Sequence, residues 1–92
     1  MQLEIVTPEE VLLSGEVRSV VVPGVDGSFE LLDNHAPIVS LLQEGFVKIQ
    51  GDLQLEERIE RKFARDSNDN LRIRIKGGVV EMKDSKAIVL VD

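Results

Sequence analysis

From residue 71 to residue 76 the chain alternates without a break: Leu71, Ile73 and Ile75 are apolar, while Arg72, Arg74 and Lys76 are charged. Successive side chains of a strand point to opposite faces. This period of two therefore predicts a β-strand with one face on a core and its cations in solvent. Shorter runs repeat the theme. Residues 3–6 alternate and are stopped by Thr7-Pro8-Glu9-Glu10, Val11-Leu12-Leu13 ends at a Ser14-Gly15 turn, and residues 16–22 lead through Val17, Val20, Val21 and Val22 to Pro23-Gly24. The third run reads as buried on one face at first and on both near its end. Residues 29–32, 38–42 and 46–50 are further strand candidates. Gly77-Gly78 breaks or bends the sheet, and Asp84-Ser85 is the tight turn of a closing hairpin between residues 79–83 and 86–91. At least eight short strands at regular spacing predict an all-β sandwich or flattened barrel.

Two segments are ambiguous. Thr7 with Glu10 three residues on matches a capping box, and Pro8 suits a first helical position, but Gly15 comes too soon for more than one turn of helix. Residues 54–65 place Leu55, Ile59 and Phe63 four apart, with Glu57 and Arg61 at the same spacing. That predicts a helix of about three turns, followed by a polar exit loop over residues 66–70. The alternative is a charged, extended hairpin. Either form is expected as a solvated protrusion from the sandwich.

Ninety-two residues make one domain without room for a deep cleft between lobes. With 42% hydrophobic residues and three Phe as the only aromatics, its core is aliphatic. The absence of cysteine excludes disulfides and thiolate metal sites, and fits a reducing compartment. The start, Met1-Gln2-Leu3-Glu4, has no secretory signal pattern, and no apolar run approaches the roughly 20 residues that span a bilayer. A cytosolic chain is expected. A net charge of -6 would repel a phosphate backbone, so nucleic acid is not expected as a partner. Near anionic lipid, such a chain has to be held by another protein.

Catalytic chemistry is sparse. His35 is the only histidine, and imidazole can act as acid, base or ligand near neutral pH. Asp26, Glu30 and Asp33 lie nearby and could join it around a hard cation, although their spacing is not that of a calcium loop. A small hydrolase or metal-dependent enzyme centred on His35, Asp33 and Asp26 is therefore one reading. The other makes His35 a structural or interface residue. No serine sits in a Gly-x-Ser-x-Gly setting, and neither Gly24-x-x-Gly27 nor Gly77-Gly78 has the lysine or strand-to-helix junction of a phosphate loop. The acidic pairs Glu9-Glu10 and Glu56-Glu57 read as solvated charge. A free-standing ligand-binding sandwich is opposed by the lack of Trp and Tyr. What remains is residues 20–42, read as strand, loop, strand, loop, strand. There Phe29, Leu31 and Leu32 lie close to Asn34-His35-Ala36-Pro37, and Pro23 and Pro37 stiffen the chain. A loop ordered in advance loses little entropy on docking.

These residues also carry a family resemblance. Val21-Val22-Pro23-Gly24-x-x-Gly27-x-Phe29, continuing through Asn34-His35-Ala36-Pro37 and Leu42-x-x-Gly45-x-Val47, resembles the N-terminal domain of the ε subunit of F-type ATP synthases. Leu3-x-Ile5-Val6-Thr7-Pro8, Ser14-Gly15, Gly77-Gly78-Val79-Val80-Glu81 and Ile88-Val89-Leu90 are similar to it too. The resemblance spans nearly the whole chain apart from about residues 52–70. It implies a single ten-stranded β-sandwich over residues 1–92, acting as a non-catalytic rotor subunit without a cofactor. In the family this domain binds the foot of the γ subunit and the polar loops of the membrane-embedded c-ring, coupling proton or sodium flow to rotation. By position the c-ring loop falls on Ser28, Phe29, Glu30 and Leu31, and the γ-facing surface includes Thr7, His35 and Ser40. A peripheral place on the cytoplasmic face of the bacterial inner membrane, without direct insertion, is implied as well.

The chain departs from the family pattern in three places. It stops at Asp92, where the family continues into a C-terminal helical hairpin that inhibits ATP hydrolysis and in some members binds ATP. Neither property is expected here. Glu30 stands where many relatives have glycine, which adds charge to the ring-facing segment. Residues 52–70 exceed the equivalent family hairpin in length.

Overall fold

Val20 and Val22 are fully buried in a strand, β3 (Ser19–Gly24), that holds the two halves of the molecule together. The structure is a computed structural model and describes residues 1–68 and 70–92. Its other strands are β1 (Gln2–Val6), β2 (Val11–Glu16), β4 (Gly27–Leu31), β5 (Ile38–Leu42), β6 (Gly45–Gln50), β7 (Ala64–Arg65), β8 (Leu71–Ile75), β9 (Gly78–Lys83) and β10 (Lys86–Val91). They form one curled, ten-stranded sheet in the order β2-β1-β10-β9-β5-β3-β6-β8-β7, with β4 paired to β3. The expected sandwich-like, flattened barrel is therefore the fold. All pairs are antiparallel except β1 with β10, whose parallel ladder ties the start of the chain to its last strand.

Alternation determines what lies inside. In β8, Leu71, Ile73 and Ile75 are buried while Arg72 and Arg74 are exposed, as the period of two predicts. Leu3 and Ile5 of β1, Val47 and Ile49 of β6, Val80 and Met82 of β9, and Ala87 and Val89 of β10 complete inward rows that meet in one apolar cluster. Leu12 and Leu13 are both buried, although they are neighbours in sequence. A register shift opposite Ile5 and Val6 makes this feasible, because a bulge lets two residues face one.

Turn chemistry follows the residues. Asp84 and Ser85 take φ of 53° and 57°, the left-handed pair of a two-residue hairpin turn. At Gly78 a Cβ would drive into the backbone carbonyl of Leu90, so the close approach of β9 to β10 excludes a side chain. The capping-box residues make a turn rather than a helix: Thr7 Oγ1 accepts from the N–H groups of Glu9 at 3.2 Å and Glu10 at 3.1 Å.

Two expectations need correction. Ser14 and Gly15 are not a turn but lie within β2, with Gly15 opposite Leu3. Glycine serves there as space, since a Cβ would sit 2.8 Å from Leu53 Cδ2. The three-turn helix over residues 54–65 shrinks to α1 (Glu57–Glu60), a single turn, after which Ala64 and Arg65 add to the edge of β8 as β7. Glu56 at the helix start provides no side-chain cap, and a helix nucleus without such help is costly. The open edge of β8 supplies backbone partners instead. Nor does the segment protrude. Ile59 is buried, Leu53, Leu55 and Phe63 pack on the core, and Arg58 and Lys62 both reach Glu10, at 2.7 and 2.9 Å. The expected Glu57–Arg61 pair forms at 2.9 Å.

Candidate docking interface

The outward residues of the half built from β2, β1, β10, β9 and β5 form rows that cross the strands. One row is wholly apolar: Val11 faces Val6, Val6 faces Leu90, Leu90 faces Val79, and Val79 faces Leu41. Leu41 is 63% exposed, Val11 52% and Leu90 50%. At the usual strand spacing the row runs roughly 19 Å across the sheet. The next row, Ser14, Glu4, Ile88, Glu81 and Val39, mixes apolar with acidic groups, and Val39 is 70% exposed. A third, Glu16, Gln2, Lys86 and Lys83, is polar throughout. An apolar band bordered by graded polarity has the character of a protein interface with a rim.

The opposite half presents different chemistry. Its outward residues include Phe46 and Lys48 of β6 and Arg72 and Arg74 of β8, with Lys48 directly opposite Arg72 and Phe46 opposite Arg74. The Arg72 and Arg74 guanidinium carbons lie 4.8 and 5.5 Å from the Phe46 ring centre. A shallow cavity of about 240 Å³ beside them is lined by Val21, Glu30, Lys48, Asp66, Asn70 and Arg72, among others. Backbone N–H groups of Asn70 and Asn68 donate to the Asp66 carboxylate and hold it below its ordinary range, with the charge of Arg72 contributing less.

Ser28, Phe29, Glu30 and Leu31 do not form a loop. They belong to β4, which pairs on one side with β3 alone, and the true tip of that hairpin is Val25-Asp26. Gly27 turns the chain there with φ of 121°, a conformation open to glycine. Ser28 and Glu30 point to solvent. Phe29 lies half-buried against Gly24, where a Cβ would come within 2.8 Å of its ring, and Leu31 is wholly inside the core. Of the four, Ser28 and Glu30 are the ones offered directly to a partner.

Thr7, His35 and Ser40 lie on or beside the elements that carry the apolar row. Thr7 follows Val6 directly, Ser40 precedes Leu41 in β5, and His35 sits in the connection from β4 to β5. Thr7 and His35 fall at opposite ends of this half-sheet, since Val6 is level with Leu90 whereas the backbone N–H of Asn34 donates to Ser85 Oγ at 3.3 Å. His35 Nδ1 is 2.7 Å from the carbonyl oxygen of Ala36. In the tautomer that donates this bond, Nε2 is left as an acceptor.

The trio of a His35-centred enzyme is not assembled. Asp26 is at the hairpin tip, at one end of β4, while Asp33 is at the other end, 2.7 Å from the Met1 amino group. Among the described residues no group of three or more His, Asp or Glu side chains is placed to hold a metal ion. Sequence reasoning missed the apolar row. Its members are hidden in runs such as Val79-Val80 and residues 88–91, and only the strand register separates outward from inward side chains.

Compared with known proteins, residues 1–92 match the family model described as ATP synthase, Delta/Epsilon chain, beta-sandwich domain. The ATP synthase epsilon chain of Chlorobium limicola is 37% identical over 91 residues, which are 99% of this chain and 88% of that one. That of Chlorobaculum tepidum is 38% identical over 90 residues, or 98% and 86% of the two chains. Against the epsilon chain of Leptospira borgpetersenii the identity is 34% over 92 residues, all of this chain and 61% of the relative. Among solved structures, a chain from the central stalk and c-ring of the Tetrahymena thermophila mitochondrial ATP synthase shares the fold with a TM-score of 0.73 at 16% identity, covering 99% of this chain and 62% of that chain.

Proposed function

The chain belongs to the ATP synthase delta/epsilon-chain β-sandwich family, a non-catalytic part of that complex, and on this premise we propose that it is the rotor subunit that joins the γ subunit to the c-ring. The observation that carries the reading is the apolar row Val11–Val6–Leu90–Val79–Leu41. In this assignment γ covers the row and touches Thr7 and His35 on the elements beside it, and meets β5 at Ser40 between Val39 and Leu41, where the Ser40 side chain turns to the inner side level with Val80. His35 Nε2 accepts a hydrogen bond from γ, and the acidic second row sets the rim. The c-ring's polar loops meet Ser28 and Glu30 of β4, with Phe29 and Leu31 holding that strand in place from below. The chain works peripherally on the cytoplasmic face of the bacterial inner membrane, held there by its partners.

The mechanical role needs no reaction at this subunit. A curled sheet with a packed aliphatic core deforms little, because its interior is close-packed. Torque received from the ring on one surface is then delivered to γ on another, which is how ion flow is coupled to ATP synthesis. Co-expression with the cognate γ subunit tests this. The chain should co-purify with a tag on γ, and Leu41→Glu or His35→Glu should weaken the complex while Lys62→Ala does not. A chain that elutes free of γ, or equal losses from all three changes, would contradict the proposal.

A further inference from the structure

Eight of the eleven lysines and arginines of this acidic chain fall into two groups. In the segment that packs over β2, Arg58 and Lys62 bind Glu10, Arg61 binds Glu57, and Arg65 binds Glu60. On the outer face of β6 and β8, Lys48 and Arg72 have no ion pair among the described residues, nor has Lys76 just past the end of β8, and Arg74 has only the exposed Glu44 at 3.5 Å. Seventeen carboxylates are present in the chain, yet among the described residues this face sets only Glu44 at 3.5 Å from Arg74 and the weaker charge of Asp66 near Arg72. Lys48 also stands directly across from Arg72, a like-charge pair that costs stability in a sheet. Two guanidinium groups lie over the Phe46 ring, a cation–π arrangement that fixes them beside one another on this face.

We propose that the strip formed by Lys48, Arg72, Arg74 and Lys76 around Phe46 is a third docking surface, besides those assigned to γ and the c-ring, and that its occupant is an acidic polypeptide segment of a partner subunit. Arg72 and Arg74 stand on one face of β8 about 6.7 Å apart, the spacing of alternate carboxylates in an extended segment, and Lys76 follows just past the strand's end. Residues four apart on a helix, about 6 Å along its axis, match it nearly as well. Planar guanidinium edges favour bidentate carboxylate binding. A narrow segment also fits the surroundings better than a broad anionic surface does. Glu30, Asp66 and Glu44 border the strip, and a flat membrane would meet these carboxylates together with the chain's net charge of -6.

The test uses the full 92-residue chain and a fluorescently labelled Glu-Ala peptide, with binding followed by anisotropy across a salt series. The expected result is binding that weakens as salt rises and falls about tenfold or more in Arg72→Glu/Arg74→Glu. Lys83→Glu, on the other outer face, should leave it unchanged. A thermal melt checks folding, and if the double variant fails to fold, Lys48→Gln/Arg72→Gln replaces it with the same expected loss. Absence of peptide binding would overturn the proposal, as would equal sensitivity to Lys83→Glu. So would capture of phosphatidylglycerol vesicles through these residues without capture of the peptide. The γ complex should survive Arg72→Glu/Arg74→Glu. Its loss would assign the strip to γ and overturn a separate surface, while leaving the rotor reading standing.

Discussion

The two outer faces of the sandwich share one inward logic and differ in everything they show to solvent. On β8 the outward positions are Arg72 and Arg74, whereas on β10 and β9 the equivalent positions are Leu90 and Val79. Both faces rest on the same cluster of Leu, Ile and Val. Inward residues therefore specify the fold, and outward residues are free to specify what the fold meets. An outward Arg on a strand needs no explanation beyond solvation. An outward row of five aliphatic residues does, because water gains nothing from it and a partner does.

The core that both faces share is the most sensitive point. Leu31 is fully buried under both faces, and Leu31→Ala should destabilise the chain by about 2–5 kcal/mol, read by urea denaturation. A loss within experimental error would mean that β4 is not part of the core. Binding is the next largest effect. Leu90→Glu should weaken the γ complex by about 2 kcal/mol or more while changing stability by less than about 1 kcal/mol. Calorimetry and denaturation of the same sample would separate the two, and a large stability loss would show that Leu90 is packed rather than presented.

Smaller effects concern the segment after β6. Glu10→Gln removes the carboxylate shared by Arg58 and Lys62, so amide exchange over residues 53–63 should speed up severalfold with the global melt nearly unchanged. Unchanged exchange would make those ion pairs incidental. The smallest effect is acid titration. The Arg58 guanidinium, with Lys62, holds Glu10 below its ordinary value of 4.5, and backbone N–H groups of Asn70 and Asn68 hold Asp66 below 3.8. Carboxyls with lowered folded values stabilise above the unfolded values and lose that contribution as pH falls through the folded ones. Carboxyl carbon shifts in NMR should give midpoints below 4.5 and 3.8 respectively, and midpoints at or above them would rule out these contacts.

Much of this fold is legible in the residues. The alternation of residues 71–75 and the turn at Asp84-Ser85 report local constraints, and local constraints survive in a sequence. The apolar row is not legible, because Val6 meets Leu90 and Leu41 meets Val79 across pairings between distant parts of the chain. Leu55, Ile59 and Phe63 mislead for a related reason. Their spacing suits a long helix, but one turn followed by a strand also brings all three to the core, and the β8 edge supplies the backbone partners that decide between them. Gly15 reads as a turn because its real reason, the methyl group of Leu53, lies far along the chain. Residues 29–32 read as a strand, whereas the family resemblance implies a loop over Ser28 to Leu31; the register with β3 makes them a strand with only Ser28 and Glu30 facing outward.

Amide hydrogen exchange of the chain alone and in complex with γ tests the distinction between the two faces most directly. New protection is expected in β5, β9 and β10 around Leu41, Val79 and Leu90, with β6 and β8 around Lys48 and Arg72 unchanged. Protection that appears on β6 and β8 while β5, β9 and β10 stay as they were would contradict it.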